Sequence, residues 1–339
     1  MSLRACRLAT ANNRRHLAAG PMIPPADLPP DGVSVRMRAA SLNYRDLLIL
    51  EDRYAHPVPD GMVPLSDGAG IVERVGAAVT RLKVGDRVMP AFVQDWIEGP
   101  FRAEYGPSAL GGAIDGVLAD SAVFPETGLV RVPDHLDFDE AATLPCAGVT
   151  AWAALFTRGR LQAGQTVLVQ GTGGVALFGL QLATAAGARV IVTSSSDAKL
   201  ERARALGAWG TINYRTHPDW DAEVLRLTDG RGADQILDLG GPDTFDRSLA
   251  CVAAGGAIAL IGVLTGFDIH PNLIGLLMKN ATINGIYVGS RADLEALSAF
   301  MATHKIHPVI DRRFGFDQVT EAFALMKAAG HFGKIVVTM

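Results

Sequence analysis

The stretch VLVQGTGGVALFG, residues 167–179, decides the fold. Gly171, Gly173 and Gly174 fall within four positions, between an apolar run of strand length and a longer apolar run of helix length. Gly171, Gly173 and Ala176 fit G-x-G-x-x-G/A, in which the first glycine permits a tight turn and the second lets backbone approach a pyrophosphate. A helix starting near Gly174 offers unpaired N–H groups and a positive dipole end to phosphates. A glycine turn that only joins a strand to a helix is the competing reading. The strand before the turn and the helix after it favour dinucleotide binding.

Working outward, the same alternation recurs. TVLVQ precedes GVALFGLQLATAA, ARVIVTS precedes DAKLERARALGA, ADQILDL precedes DTFDRSLACVAA, and GAIALIGV precedes PNLIGLLMK. Strands separated by helical patterns of roughly 10–15 residues form right-handed βαβ units on a parallel sheet. From about Asp139 to Arg291 the chain therefore reads as a doubly wound α/β domain. From Val33 to Pro133 Gly or Pro interrupts every few residues, leaving short β-type runs such as GVSVRMRA, AGIVERVG and GDRVMPAF. That texture predicts an antiparallel, barrel-like domain. The N-terminal residues read as its first strands, and the tail DQVTEAFALMKAAGHFGKIVVTM as a helix and a strand closing back on it.

At 339 residues the chain exceeds the length at which one hydrophobic core stops growing, which predicts two domains. A net charge of −4 offers no basic footprint for nucleic acid or an anionic membrane surface. No apolar run approaches the roughly 18 residues of a membrane span. Cys6, Cys146 and Cys251 lie far apart with no C-x-x-C pair, which argues against a disulfide framework or a Cys-built structural zinc site and fits a reducing cytoplasm. The chain lacks G-x-x-x-x-G-K-[ST], G-x-S-x-G and H-E-x-x-H, which removes the common phosphoryl-transfer, serine-hydrolase and metalloprotease readings.

The ordered series AASLNYRD (39–46), LSDGAGIVERVGAAVTRLKVGDRV (65–88), AATLPCAGVTAW (141–152), the glycine turn and HFGKIVV (331–337) spans nearly the whole chain. It resembles the medium-chain dehydrogenase/reductase superfamily, and within it the zinc-free quinone oxidoreductase-like branch, of the kind often labelled zinc-type alcohol dehydrogenase-like. The resemblance implies a GroES-like, β-rich catalytic domain from both chain ends (1–125 and 300–339) around a Rossmann domain (126–299). It also implies an NADPH-dependent oxidoreductase acting on a small molecule, and a homodimer paired through the last sheet strand, read from ATINGIYVGS (281–290).

Zinc alcohol dehydrogenases carry Cys where this chain has Asn43, Gly-His-Glu where it has Leu65, Ser66 and Asp67, and Cys where it has Cys146. One soft ligand survives, against the three protein ligands that catalytic zinc usually takes. The family's lobe of four close cysteines is replaced by FVQDWIEGPFRAEYGPSALGGAID (92–115). The expectation is no metal, with Cys146 a small buried apolar residue. Without a Lewis acid the chemistry shifts to acceptors that delocalise the arriving electrons, a quinone or an enone. The alternatives are an alcohol dehydrogenase on alcohols and aldehydes, and a non-catalytic NADPH-binding protein.

The resemblance implies that Asn43, Tyr54 and Thr150 lie about the nicotinamide and the acceptor, Asn43 and Thr150 positioning the ring and Tyr54 donating to the developing oxyanion. Against this, SLNYRD also reads as a strand end and a helix start, with Asn43 capping backbone N–H groups and Asp46 supporting the first turn. Tyr54 equally suits a solvent-exposed loop, and Trp96, Phe101 and Tyr105 suit loop packing as well as a substrate mouth.

NAD enzymes place Asp or Glu about 20 residues beyond the glycine motif, where the carboxylate repels a 2′-phosphate. Here RVIVT ends in Ser194, Ser195 and Ser196, Lys199 lies three residues on, and Tyr214 and Arg215 end the next strand, which resembles the branch's Ser, Lys and Tyr set for the phosphate of NADPH. The competing account has Ser196 capping the next helix, Lys199 solvated and Asp197 close by. Gly171, Thr172, Gly173, Gly174 and Val175 are assigned to the pyrophosphate, and Gly262, Val263, Leu264, Phe332, Gly333 and Lys334 to the rest of the cofactor. Asp238 reads as a cofactor neighbour or as turn chemistry, and His304 and His307, with no carboxylate partner in view, as exposed or structural.

Overall fold

The structure, a computed structural model, describes residues 3–12, 14–266, 268, 271 and 273–339. The chain divides into two compact units, Met1–Val149 with Gly289–Met339, and Thr150–Val288.

The first unit opens with an antiparallel hairpin of β1 (Arg4–Ala11) and β2 (Arg14–Pro21). Then come β3 (Gly32–Ser41), β4 (Asp67–Val75), β5 (Arg87–Pro90), β6 (Ser121–Pro125) and β7 (Leu129–Arg131). β3 pairs antiparallel with both β4 and β6. Its apolar Val33, Val35 and Met37 alternate and join Leu65, Val72, Leu118 and Phe124 in one core. Residues 126–149, assigned from sequence to the parallel-sheet domain, group instead with this unit. The reason is local: β7 pairs with β5, and the Glu126 carboxylate accepts from the N–H groups of Thr80 (3.1 Å) and Arg81 (2.8 Å). Residues 289–299 group there too, where Arg291 N donates to Trp96 O at 2.9 Å.

The second unit holds β8 (Thr166–Gln170), β9 (Arg189–Ser194), β10 (Gly210–Asn213), β11 (Ala233–Asp238), β12 (Val252–Leu260) and β13 (Thr282–Gly285). All pair parallel, in the order β10-β9-β8-β11-β12-β13. Counted from β8 this is 3-2-1-4-5-6, the doubly wound order, with its switch point between β8 and β11. Every residue of β8 is buried, as in parallel strands covered on both faces. Leu168, Ile191, Ile236 and Ile258 pack with Trp220, Val224 and Phe245. The helix expected over 271–279 runs Leu273–Lys279, and Asn272 lies outside the described residues.

The chain then supplies β14 (Ile310–Gly315) and β15 (Lys334–Thr338) to the first unit, β15 pairing antiparallel with β3 at Val336↔Ser41. The tail closes on the first domain, and helix Val319–Lys327 packs Val319, Ala322, Phe323 and Met326 on its core. Among the described residues no helix is long and apolar enough to cross a membrane.

Candidate functional site

In the second unit the glycine turn sits at the carboxyl end of β8. Gly171 has φ +79°, a left-handed conformation that favours glycine. Gly173 is extended (φ −82°, ψ −171°) and stands at the N-cap of helix Gly174–Ala185 with no side-chain cap. A Cβ at either glycine would meet nothing within 4 Å. Packing inside the chain therefore does not require a bare backbone at Gly173. Free helix N–H groups behind an open, side-chain-free turn fit a pyrophosphate. Ala176 is fully buried, and a Cβ at Gly179 would lie 2.7 Å from Leu237, so these two serve helix–sheet packing.

The β9 end shows the helix-cap reading. Ser196 caps helix Asp197–Ala205 through Lys199 N (3.4 Å), and Ser194 Oγ accepts from Ser196 N (3.3 Å). β10 pairs Asn213 with Ser194, so Ser194, Ser195, Tyr214 and Arg215 gather at adjacent strand ends. Tyr214 and Arg215 lie just beyond β10 rather than ending it, because the Asn213 side chain closes a turn there: Oδ1 accepts from Arg215 N (3.0 Å) and Nδ2 donates to Asp197 Oδ1 (2.7 Å). The Asp197 carboxylate that weakens a phosphate site is thereby engaged by an amide.

Asp238 is turn chemistry. Fully buried, it accepts from Gly241 N (3.1 Å), Thr244 Oγ1 (2.8 Å), Ser248 Oγ (2.7 Å) and Gln170 Nε2 (3.3 Å). Sequence reasoning passed over Gln170 and Ser248, which complete this knot. β12 ends at Leu260, before Gly262. Gly262 passes so close to Leu239 O that a Cβ would stand 1.9 Å from it, while Leu264 is exposed. Thr150, also in this unit, is buried in the helical turn Val149–Trp152.

In the first unit the structure assembles a cluster from four distant segments. Asn43 occupies the N-cap of helix Tyr44–Leu50, but its side chain makes no capping bond. Asp46 Oδ2 accepts from Asn43 N (2.7 Å), and Asn43 Oδ1 accepts from Lys334 Nζ (2.6 Å). Lys334, 3% exposed, also donates to Leu42 O (2.6 Å) and lies 3.8 Å from Asp67 Oδ2. Its ammonium is thus turned inward. Gly333 before it, with φ +95° and a Cβ position 2.3 Å from Val309 O, admits no side chain. Phe332 beside it is buried.

Asp67 is fully buried and accepts from Ser66 Oγ (2.7 Å) and Cys146 N (3.2 Å). It follows Leu65, whose φ of +68° is costly for a branched side chain, about 1–3 kcal/mol. Burial raises the Asp67 carboxyl against the opposing pull of Lys334 and the Asn43 amide. Burial likewise pushes Asp46 up to about 6 against the Arg45 guanidinium. Burial and the Asp67 charge raise Cys146 far above the ordinary thiol range, leaving it a neutral thiol. Asn43 Nδ2 is buried and faces the Asp67 carboxylate.

Tyr54 is half-buried rather than open to solvent. Arg45 stacks between Tyr54 (5.0 Å) and Phe92 (4.6 Å), and its Nε donates to Tyr54 Oη at 3.4 Å. Trp96 and Phe101 meet edge to face, as do Phe101 and Tyr105, and Trp96 Nε1 donates to Gly99 O (2.9 Å), which is loop packing. His307 does have a carboxylate partner, Glu140 Oε1 at 2.8 Å, invisible in sequence because 167 positions separate them.

The model of the alcohol dehydrogenase GroES-like domain matches residues 29–134, and that of the zinc-binding dehydrogenase matches residues 174–303. The zinc-type alcohol dehydrogenase-like protein C1773.06c of Schizosaccharomyces pombe is 44% identical over 319 residues, 92% of each chain. The chain belongs to the medium-chain dehydrogenase/reductase superfamily. It is an oxidoreductase of a nicotinamide-dependent family. The quinone oxidoreductase of Pseudomonas aeruginosa is 36% identical, over 90% of this chain and 87% of that one. A solved structure from Sinorhizobium meliloti 1021, provisionally called an alcohol dehydrogenase, matches at 44% identity and TM-score 0.93, covering 100% of this chain and 99% of that one.

A zinc-binding description names a metal that the donors here do not fit. At the zinc-ligand positions of zinc medium-chain dehydrogenases stand an amide whose oxygen is taken by Lys334, a serine bonded to Asp67, and a neutral thiol. The remaining carboxylate is held by three partners, one of them cationic. A zinc ion would sit against an ammonium. Among the described residues no three His, Cys, Asp or Glu side chains are grouped to hold a metal.

Proposed function

We propose that this protein is an NADPH-dependent, metal-free reductase that passes a hydride to a quinone or a conjugated carbonyl. The observation that carries the reading is the Asn43 amide: its oxygen is pinned by a buried ammonium where zinc enzymes hold their metal. NADPH, when bound, supplies the hydride. The N–H groups of Gly171 to Val175 hold the pyrophosphate, and Ser194, Ser195, Ser196, Lys199, Tyr214 and Arg215 hold the 2′-phosphate. Gly262, Val263, Leu264, Phe332 and Gly333 offer backbone to the rest of the cofactor, and Thr150 orients the ring. Asn43 helps to position the ring, and Tyr54 Oη donates to the oxygen on which charge develops.

Arg45 bonded to Tyr54 Oη supports that role, since it leaves the phenol proton for the acceptor. The same reading takes β13, at the sheet edge with Leu277 and Met278 exposed on the preceding helix, as a homodimer contact. The three free cysteines suit a reducing cytoplasm.

The test is NADPH oxidation over quinones, enones, aldehydes and saturated ketones, with alcohol oxidation measured alongside. Quinone or enone turnover should exceed that of a secondary alcohol by orders of magnitude, and Asn43→Ala should lower kcat about 100-fold. Robust alcohol oxidation with Asn43→Ala fully active overturns the reading.

A further inference from the structure

We propose that Lys334 is a positioning residue that fixes the Asn43 amide and supplies, as an internal ammonium, the positive charge that a metal supplies in zinc members of the superfamily. The inference rests on the reductase reading and replaces the sequence-based assignment of Lys334 to the cofactor. Three observations carry it. The ammonium places two of its three donors inside the protein, on Leu42 O and Asn43 Oδ1 at 2.6 Å each, and lies 3.8 Å from Asp67 Oδ2. It is 3% exposed, so it presents no charge to a phosphate in solution. And its neighbours Asn43, Asp67 and Cys146 occupy the positions from which zinc enzymes draw ligands.

The physical consequence follows from hydrogen-bond polarity. An amide whose oxygen accepts from a cation can present only its N–H side elsewhere, and the cation polarises that N–H into a stronger donor. Lys334 therefore fixes the orientation of the Asn43 amide, its oxygen toward the ammonium and its N–H side toward Asp67, and its charge opposes the negative charge that develops on the acceptor in a low-dielectric surrounding. Arg45, Asp46 and Asp67 are the other charged groups facing this cluster. With both carboxylates ionised the four charges cancel.

The test uses Lys334→Met, Lys334→Met with Asp67→Asn, Asn43→Ala, and Lys334→Met with Asn43→Ala. The Lys334 and Asp67 pair removes both charges together and keeps a foldable variant if a lone buried Asp67 unfolds the chain. NADPH affinity is read by fluorescence titration without acceptor, and kcat with the best acceptor of the panel. Both Lys334 variants should lose about 100-fold in kcat with NADPH affinity within about twofold, and Lys334→Met should cost nothing further in the Asn43→Ala background. A tenfold loss of NADPH affinity, or losses in kcat that multiply, overturns the proposal. If the wild-type protein reduces no acceptor, the reductase reading fails alone. The positioning claim is then read from urea unfolding, where Lys334→Met and Asn43→Ala must destabilise together by less than their sum, and additive losses overturn it.

Discussion

The glycine turn at the end of β8 and the Asn43 cluster are built in opposite ways. The turn is contiguous, its chemistry is backbone N–H, and its side chains are mostly absent. The cluster draws Asn43, Asp67, Cys146 and Lys334 from four segments, and its decisive bond joins residues 291 positions apart. A backbone site is specified by where side chains are missing, which a sequence displays. A side-chain site is specified by which groups meet, which only the folded sheet decides.

The comparison breaks first at the turn. Gly173 is extended and a Cβ there touches nothing, so Gly173→Val should fold normally and obstruct only a ligand lying on the backbone. NADPH affinity should fall about 100-fold or more, about 2.7 kcal/mol, with the unfolding midpoint nearly unchanged. Fluorescence titration showing unchanged affinity would mean that the glycines serve the fold alone.

The cluster has its own signature in pH. Burial holds the Asp46 proton up to about 6, whereas an unfolded aspartate releases it near about 3.9. The native chain then binds more protons between those values, and stability falls as pH rises through the window. Asp46→Asn removes this term while keeping an acceptor for Asn43 N. Its stability relative to wild type should rise by about 2–3 kcal/mol from pH 4 to pH 6.5. A difference that stays flat across urea titrations in that range would show that Asp46 is ionised in the native state.

A smaller effect lies at the β9 end, where a cap and the proposed phosphate site share residues. Lys199→Ala should raise the Michaelis constant for NADPH about tenfold, about 1.4 kcal/mol, and leave that for NADH nearly unchanged. Equal changes for the two cofactors would leave Ser196 and Lys199 as helix-start residues only.

The parallel sheet, the turn and the closing tail were legible in the sequence because period, glycine spacing and strand length are local signals. The cap at Ser196 was legible too, since a serine before a helix start is a local signal. The end of β10 was not, because Asn213 closes a turn through its side chain. Lys334 was assigned to the cofactor through the family resemblance that HFGKIVV carries. Nothing near it announces that β15 pairs with β3 and carries its ammonium to Asn43. The grouping of residues 126–149 with the first unit was not legible for the same reason, Glu126 reaching back to Thr80 and Arg81.

The central claim is that an organic cation, Lys334, stands where zinc members of the superfamily hold a metal. It is tested most directly by measuring NADPH-dependent reduction of the best quinone or enone before and after exhaustive chelation, with zinc counted by elemental analysis. The account predicts far less than one zinc per chain and full activity after chelation. Near one zinc per chain, with activity lost on chelation and restored by zinc, would contradict it.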